Sequence, residues 1–281
     1  MAPGGQSRFA RLRDRGRSIP GVYLEGRNGS LNRYQGSSFN FTNHPGAILR
    51  RSSGDGGTQI DATQFHNGGL VESLTGTLEF VTSLINEGTL QAATGATIQY
   101  SGFSEFRPGT VLTRAGTNRL AAPSPGQEVA TFSGAVNASF DLAEGIVRGT
   151  FTNTGAIHWK GGTFQGNGRL TLAPGSQLTL SGGSSRSVYY GYVLENYGTV
   201  RLESAGLQSV FGATVDNHGL FEWACDFGLT RCQSSSFVFR NHADGTMRKS
   251  AGAVISTLPE LVWEPRHPGA EAGNGGVGRQ L

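Results

Sequence analysis

The side chains of this chain that could do chemistry are few, and their worth depends on what brings them together. Glu195 and Asp216 each stand immediately before an asparagine, 216 − 195 = 21 residues apart. On neighbouring strands of a sheet their carboxylates would lie about 5 Å apart, close enough to hold a cation or touch a sugar. Tyr189, Tyr190 and Tyr192 crowd one short stretch, and exposed aromatic rings stack on saccharides. Tyr189, Tyr190, Tyr192, Glu195 and Asp216 are therefore the candidate ligand patch, against the plainer reading of a lateral loop packed on the body of the protein. His218 and His242 each follow an asparagine, as His44 does far upstream. Two imidazoles fall short of the roughly four ligands of a zinc, so neither a metal nor any other cofactor is expected. Cys225 and Cys232 could close a small loop or remain thiols. No phosphate loop, dinucleotide fingerprint, nucleophile elbow or zinc-protease motif is present, and no residue is assigned a catalytic role.

The elements that must position these groups announce themselves through one phrase: an apolar residue, any residue, Asn, any residue, Gly, then an alternating strand. It runs through Phe65-His66-Asn67-Gly68-Gly69, Leu84-Ile85-Asn86-Glu87-Gly88, Phe151-Thr152-Asn153-Thr154-Gly155, Leu194-Glu195-Asn196-Tyr197-Gly198 and Val215-Asp216-Asn217-His218-Gly219. Looser copies surround Asn43 and Asn241. From Asn43 to Asn241 is 241 − 43 = 198 residues, or nine periods of 22. A fixed period of this size is the mark of a solenoid; hairpins of a sandwich also use Asn-Gly turns but require no such period.

Four residues past the asparagine stand Val71, Leu90, Ile157, Val200 and Phe221, all apolar; five past stand Glu72, Gln91, His158, Arg201 and Glu222, all polar. This alternation predicts a strand with one buried face. The asparagines are expected to stack in a single column along one edge, bonding side chain to side chain from coil to coil. Gly69, Gly88, Gly155, Gly198 and Gly219 are expected to take the left-handed backbone that the bend needs. On this reading Glu72 and Glu222 share one outward column but lie about seven coils apart. Trp159 and Trp223, two residues beyond the inward position, belong to the core.

Composition agrees. Glycine is frequent, 44 of 281 residues, about twice ordinary usage, which disfavours helices. Residues 1–20 carry five arginines against Asp14, a net +4 that leaves 3 − 4 = −1 for the rest. The body is thus not basic, and no nucleic-acid partner is expected. No run approaches the ~20 apolar residues of a membrane helix, and the start lacks the apolar region of a signal peptide. The domain reading is a disordered basic tail over 1–20, a solenoid array over 21–264 and a disordered tail over 265–281, with the whole expected to be part of a longer chain.

The stretch FTNTGAIHWKGGTFQGNGRLTLAPGSQLTLSGG, from Phe151, together with LENYGTV and FRNHADGTMRKSAG, resembles the Asn-x-Gly repeats of large secreted bacterial proteins of the autotransporter-passenger and filamentous-haemagglutinin type. The likeness covers approximately residues 35–258. It implies an all-β, right-handed parallel β-helix in an extracellular or cell-surface setting. The expectation is a structural or adhesive segment without catalysis, with surface glycans as partners. The alternative is a carbohydrate-active β-helix that binds or cleaves a polysaccharide along one lateral face.

Overall fold

The computed structural model describes residues 21–24, 30–32, 38–124, 126–232, 236–253 and 261–263. The expected tails, 1–20 and 265–281, lie outside them. The described residues form a parallel β-solenoid of about nine turns, roughly 21 residues apart, with no helix. Eleven short strands, from Ser30–Asn32 to Thr246–Lys249, stack as a flat base sheet. The remaining strands form one twenty-stranded sheet that wraps the other two sides of the coil. Each turn runs from the base to a first limb (such as Ser83–Asn86), then to a second limb (Thr89–Ala92), and back to the base (Thr97–Tyr100).

Strands of four residues with alternating burial explain the cross-section. Each side contributes about two inward side chains per coil, and stacking supplies the rest of the core. Val71, Leu90, Ile157, Val200 and Phe221 are all fully buried, as their spacing from the asparagines demands. So are Trp159 and Trp223, which share one inward file of the base sheet with Leu180 and Leu202. Aromatic rings climb the core in contact: Phe80, Tyr100, Phe106 and Phe132 lie within 4.5–5.9 Å of their neighbours, centroid to centroid. Burial pushes the Tyr100 hydroxyl's pKa well up, and the hydroxyl donates to Asn118 Oδ1 at 2.9 Å.

The asparagines fall on one file, but it is broken between Asn86 and Asn196, where Thr110, Val136 and Leu172 take rungs on it. Asn43, Asn67 and Asn86 stack at the corner between the first and second limbs. Further along, Asn196, Asn217 and Asn241 stack where that file has come to lie between the second limb and the base. Along the first limb the register above Asn86 places Phe106, Phe132 and Gly149, not Asn153. The reason lies in the middle coils. There the first corner opens: Glu128–Ala138 and Ile146–Asn153 run on as long strands, bent by the left-handed Gly134 and Gly149 (φ 64° and 106°). Their second halves start a new second limb, while the old one dwindles to Val111–Leu112. The repeat phrase thereby moves one corner along. Glu72 and Gln91 consequently sit on the second limb, whereas His158, Arg201 and Glu222 sit on the base, so they never shared an outward column.

The glycines of the phrase also differ from expectation. None of Gly69, Gly88, Gly155, Gly198 and Gly219 has a left-handed φ. Each instead lies against the backbone of the coil below: a Cβ would fall 2.4 Å from the His44 carbonyl oxygen at Gly69, and 2.4 Å from that of Ser176 at Gly198. Close approach of two chains is the requirement.

Several inward positions break the apolar rule, among them Asn118 and Arg51. Arg51 is fully buried, with burial lowering its pKa against the raising effect of Asp55. Its guanidinium donates to Thr58 Oγ1 at 3.1 Å, to the carbonyls of Gly54 (2.9 Å) and Gly56 (2.7 Å), and to that of Thr75 in the next coil. It pins a turn that has no regular strand of its own. Arg51→Met is expected to cost about 2 kcal/mol, since the buried turn loses a charged donor to three part-buried carbonyls, each of which keeps one other donor; denaturant unfolding would show it as a lowered midpoint.

Candidate functional site

Each asparagine ladder is a file of charge-free hydrogen bonds inside the protein. Asn43 Nδ2 donates to Asn67 Oδ1 at 2.8 Å, and Asn67 Nδ2 to Asn86 Oδ1 at 2.7 Å. The buried Thr110 ends this run, accepting from Asn86 Nδ2 at 3.0 Å while its hydroxyl donates to the Asn86 carbonyl. In the second run Asn196 donates to Asn217, and Asn217 to Asn241, both at 2.7 Å. Asn153 is isolated between Val136 and Leu172; it accepts from the Ala138 N–H at 2.9 Å, and its buried Nδ2 has no partner. The ladder residues are structural: all seven asparagines are under 5% exposed.

The outward surface carries the polar chemistry. On ten successive rungs of the base sheet the outward file reads Gln59, Glu79, Gln99, Arg119, Asp141, His158, Thr179, Arg201, Glu222, Arg248. Glu79 and Glu222 each accept from the rungs on both sides, and Asp141 from the following coil. Asp141 accepts from Lys160 at 2.6 Å and pairs with His158 at 3.2 Å. Glu222 is held by Arg201 and by Arg248, the latter at 2.7 Å. Glu79 accepts from Gln59, Gln99 and Ser101. Glu72, predicted to be an exposed outward residue, is covered by Arg50 at 2.5 Å and only 5% exposed.

Burial by itself would raise the pKa of Glu79, Asp141, Glu195 and Glu222, and it is the largest single influence on each. Together the hydrogen bonds and neighbouring cations outweigh it and leave all four below the ordinary carboxylate range. A depressed folded-state pKa contributes stability that is complete above the unfolded value, near 4, and is lost as pH falls through the folded value. The denaturant midpoint is thus expected to stay level from pH 7 to about 5 and to fall below about 4. Added salt should shrink the drop, because these pairs lie at the surface.

The structure separates the predicted ligand patch. Tyr192 is 1% exposed, packs on Phe164 at 5.6 Å and donates to the Gly149 carbonyl at 3.1 Å; it is a core residue, because it begins an inward-facing strand position at Tyr192–Asn196. Glu195 and Asp216 do occupy adjacent rungs of the second limb, but each is already engaged. Glu195 pairs with Arg169 at 3.0 Å and accepts from Thr171 at 2.9 Å. Asp216 pairs with Arg240 at 3.1 Å. Tyr189 is partly buried, and Tyr190 stands out from the corner, 49% exposed. Spacing missed its partner, Phe211, which stacks on it at 5.2 Å and 9°; the 21-residue step from Tyr190 was the available signal.

His218 and His242 are brought together, ring on ring at 3.9 Å, with Tyr197 beneath His218 at 4.6 Å. His218 also faces Asp244 at 3.0 Å, and His242 faces Asp216 at 3.4 Å. Among the described residues no three His, Cys, Asp or Glu side chains converge as a metal's ligands would. Cys225 and Cys232 form no disulfide. Among the described residues no helix is long and apolar enough to cross a membrane.

Fold and site together define a class: a parallel β-solenoid sewn by internal asparagine ladders and faced with interlocked charge files. Compared with protein-family models, curated proteins and solved structures, the chain matches none.

Proposed function

We propose that this chain is a structural or adhesive rod segment of an exported bacterial surface protein, with no catalysis of its own. The observation that carries this reading is the engagement of the outward carboxylates. Glycoside hydrolysis needs two carboxyl groups about 5–10 Å apart, one of them holding a proton through a raised pKa. On the base sheet Glu79, Asp141 and Glu222 are never on adjacent rungs, so at ~4.8 Å per rung they lie at least about 14 Å apart. Their pKa values are held down, opposite to what an acid catalyst requires. Stacked coils with uniform files suit a mechanical role, since each rung supports only its neighbours and length can be added freely. The exported setting rests on the resemblance of the repeat phrases.

A carbohydrate-cleaving reading has one observation in its favour, the adjacent Glu195 and Asp216. The two are separated in outcome by a reducing-sugar assay on neutral and acidic polysaccharides. Release at the level of the protein-free blank is expected. Release that disappears in Glu195→Gln would overturn the rod reading. Removal of the protein by protease from intact cells of its source would support surface display, and protection in intact cells would contradict it.

A further inference from the structure

Two bulky residues, Tyr190 and Phe211, adopt left-handed backbone, with φ of 58° and 61°. They are the only non-glycine residues to do so among those described, and such a conformation costs a large side chain roughly 1–3 kcal/mol. They occupy equivalent places on successive coils, because Tyr189 and Val210, just before them, are register partners. Both are followed by left-handed glycines, Gly191 and Gly212, and the corner is held by the Gly191 N–H to Gly212 carbonyl bond at 2.7 Å. One coil lower the same place is filled by Gly166 (φ 93°), so the bend itself does not call for an aromatic residue. Followed down the first limb, this is also the file that begins with the buried Asn67 and Asn86. An inward, hydrogen-bonded position has become an outward aromatic ledge, 49% and 52% exposed, in a parallel, offset stack.

The surroundings indicate what would sit there. The adjoining outward file of the first limb is Ser187, Gln208 and Thr230, and the nearest outward residues of the second limb are Val193 and Thr214. None is charged. The charges nearest the ledge are paired: Arg169, one rung below Val193, with Glu195, Asp216 with Arg240, and Arg148, whose guanidinium reaches under Gly166, with Glu128; the exposed Arg231 lies one coil above Ser209. This contrasts with the base sheet, where most outward rungs are ionic. A pyranose offers an apolar patch of C–H groups on one face and hydroxyls on its rim. An exposed aromatic ledge beside the uncharged Ser187, Gln208 and Thr214 matches both parts, and the neighbouring Arg148 and Arg169 are already paired with Glu128 and Glu195, which leaves no net charge there to favour an acidic or basic polymer.

We infer that the Tyr190–Phe211 corner is a binding site for an uncharged polysaccharide chain. This deepens the adhesive reading and rests on it. The test is electrophoresis of the full chain through native gels containing hydroxyethyl cellulose, laminarin or mannan, with polygalacturonate as the charged comparison. The intact protein is expected to be retarded by at least one neutral polymer. Tyr190→Gly/Phe211→Gly is expected to bind at least about tenfold more weakly, and Tyr190→Trp to keep the retardation. The glycine pair should melt no lower than the parent, since glycine removes the left-handed strain. That last readout separates binding from structure: a clear fall in melting temperature would assign the ledge to packing and overturn the proposal. So would no retardation by any neutral polymer, retardation by polygalacturonate alone, equal retardation of both proteins, or a self-association lost in the glycine pair. Sugar release with retardation intact would sink the non-catalytic rod but not the site; absent retardation without sugar release would sink the site but not the rod.

Discussion

Gly88→Ala is expected to lower stability by about 3 kcal/mol or more, read as a fall in the denaturant midpoint. A Cβ at this position would lie 2.2 Å from the Gly69 carbonyl oxygen and 2.8 Å from the Gly68 carbonyl carbon. Both belong to backbone, which cannot swing aside as a side-chain tip can. Relief requires the two coils to part locally. That would stretch the bonds that knit them, such as the Gly88 N–H to the Asn67 carbonyl at 3.1 Å and the Thr89 N–H to the Gly69 carbonyl at 2.9 Å. Overpacking of a yielding core costs about 1–3 kcal/mol, and an unyielding one lies at or beyond the top of that range. Gly95→Ala is the control. Its Cβ would meet nothing within 4 Å, and only the left-handed φ of 80° resists it, so about 1 kcal/mol is expected. Equal losses at the two positions would refute the account of coil contact.

Asn217→Val should cost about 3 kcal/mol, whereas Asn153→Val should cost about 1–2 kcal/mol, the loss of its one bond from the buried Ala138 N–H. The residue type and the sequence phrase are the same; the ladders differ. Asn217 accepts from Asn196 and donates to Asn241 and to the Thr246 carbonyl, the last at 3.2 Å. Valine there leaves the buried Asn241 Oδ1 without its donor and takes one acceptor from Asn196. Asn153 has no asparagine above or below it, and its Nδ2 is already without a partner. The same logic predicts a repair. Leu172 lies between Asn153 and Asn196 in register, so Leu172→Asn would join them into one longer file. Although Leu172 is fully buried, this replacement is expected to cost less than about 1 kcal/mol, against about 3 kcal/mol or more for Leu180→Asn in the core of the base sheet. A double-mutant cycle with Asn153→Val should then show coupling. Additive effects would mean that the ladder carries no energy of its own.

Much of this was legible in the chain. Phe65, Leu84 and Val71 lie where the phrase puts them, and Asn67 bonds Asn86 as stacked coils require. The broken ladder shows where reading stops. Asn86 to Asn153 is 67 residues, which passes for three periods of 22. By register along the first limb three coils above Asn86 end at Gly149, after only 149 − 86 = 63 residues. The remaining four, Thr150 to Asn153, are the new strand that moves the phrase to another corner. Coil lengths vary enough to absorb that difference, so counting does not reveal it. The candidate patch failed in a related way. Tyr189, Tyr190 and Tyr192 look alike in a row, yet the left-handed bend at Tyr190 turns one ring to solvent while Tyr192 falls on the next inward position.

What the amino-acid order settles alone is local and repetitive: strands with two-residue alternation, tight bends, a coil of about 22 residues, and a core made by stacking. These follow from backbone geometry that each coil carries within itself. What only the tertiary structure decides is the register between coils. It chose which edge each ladder occupies, placed glycine under a neighbouring carbonyl, covered Glu72 and Glu222 with arginines, and set Phe211 on Tyr190. Those outcomes depend on atoms some twenty residues apart meeting at less than 5 Å or so, and no single coil contains the information.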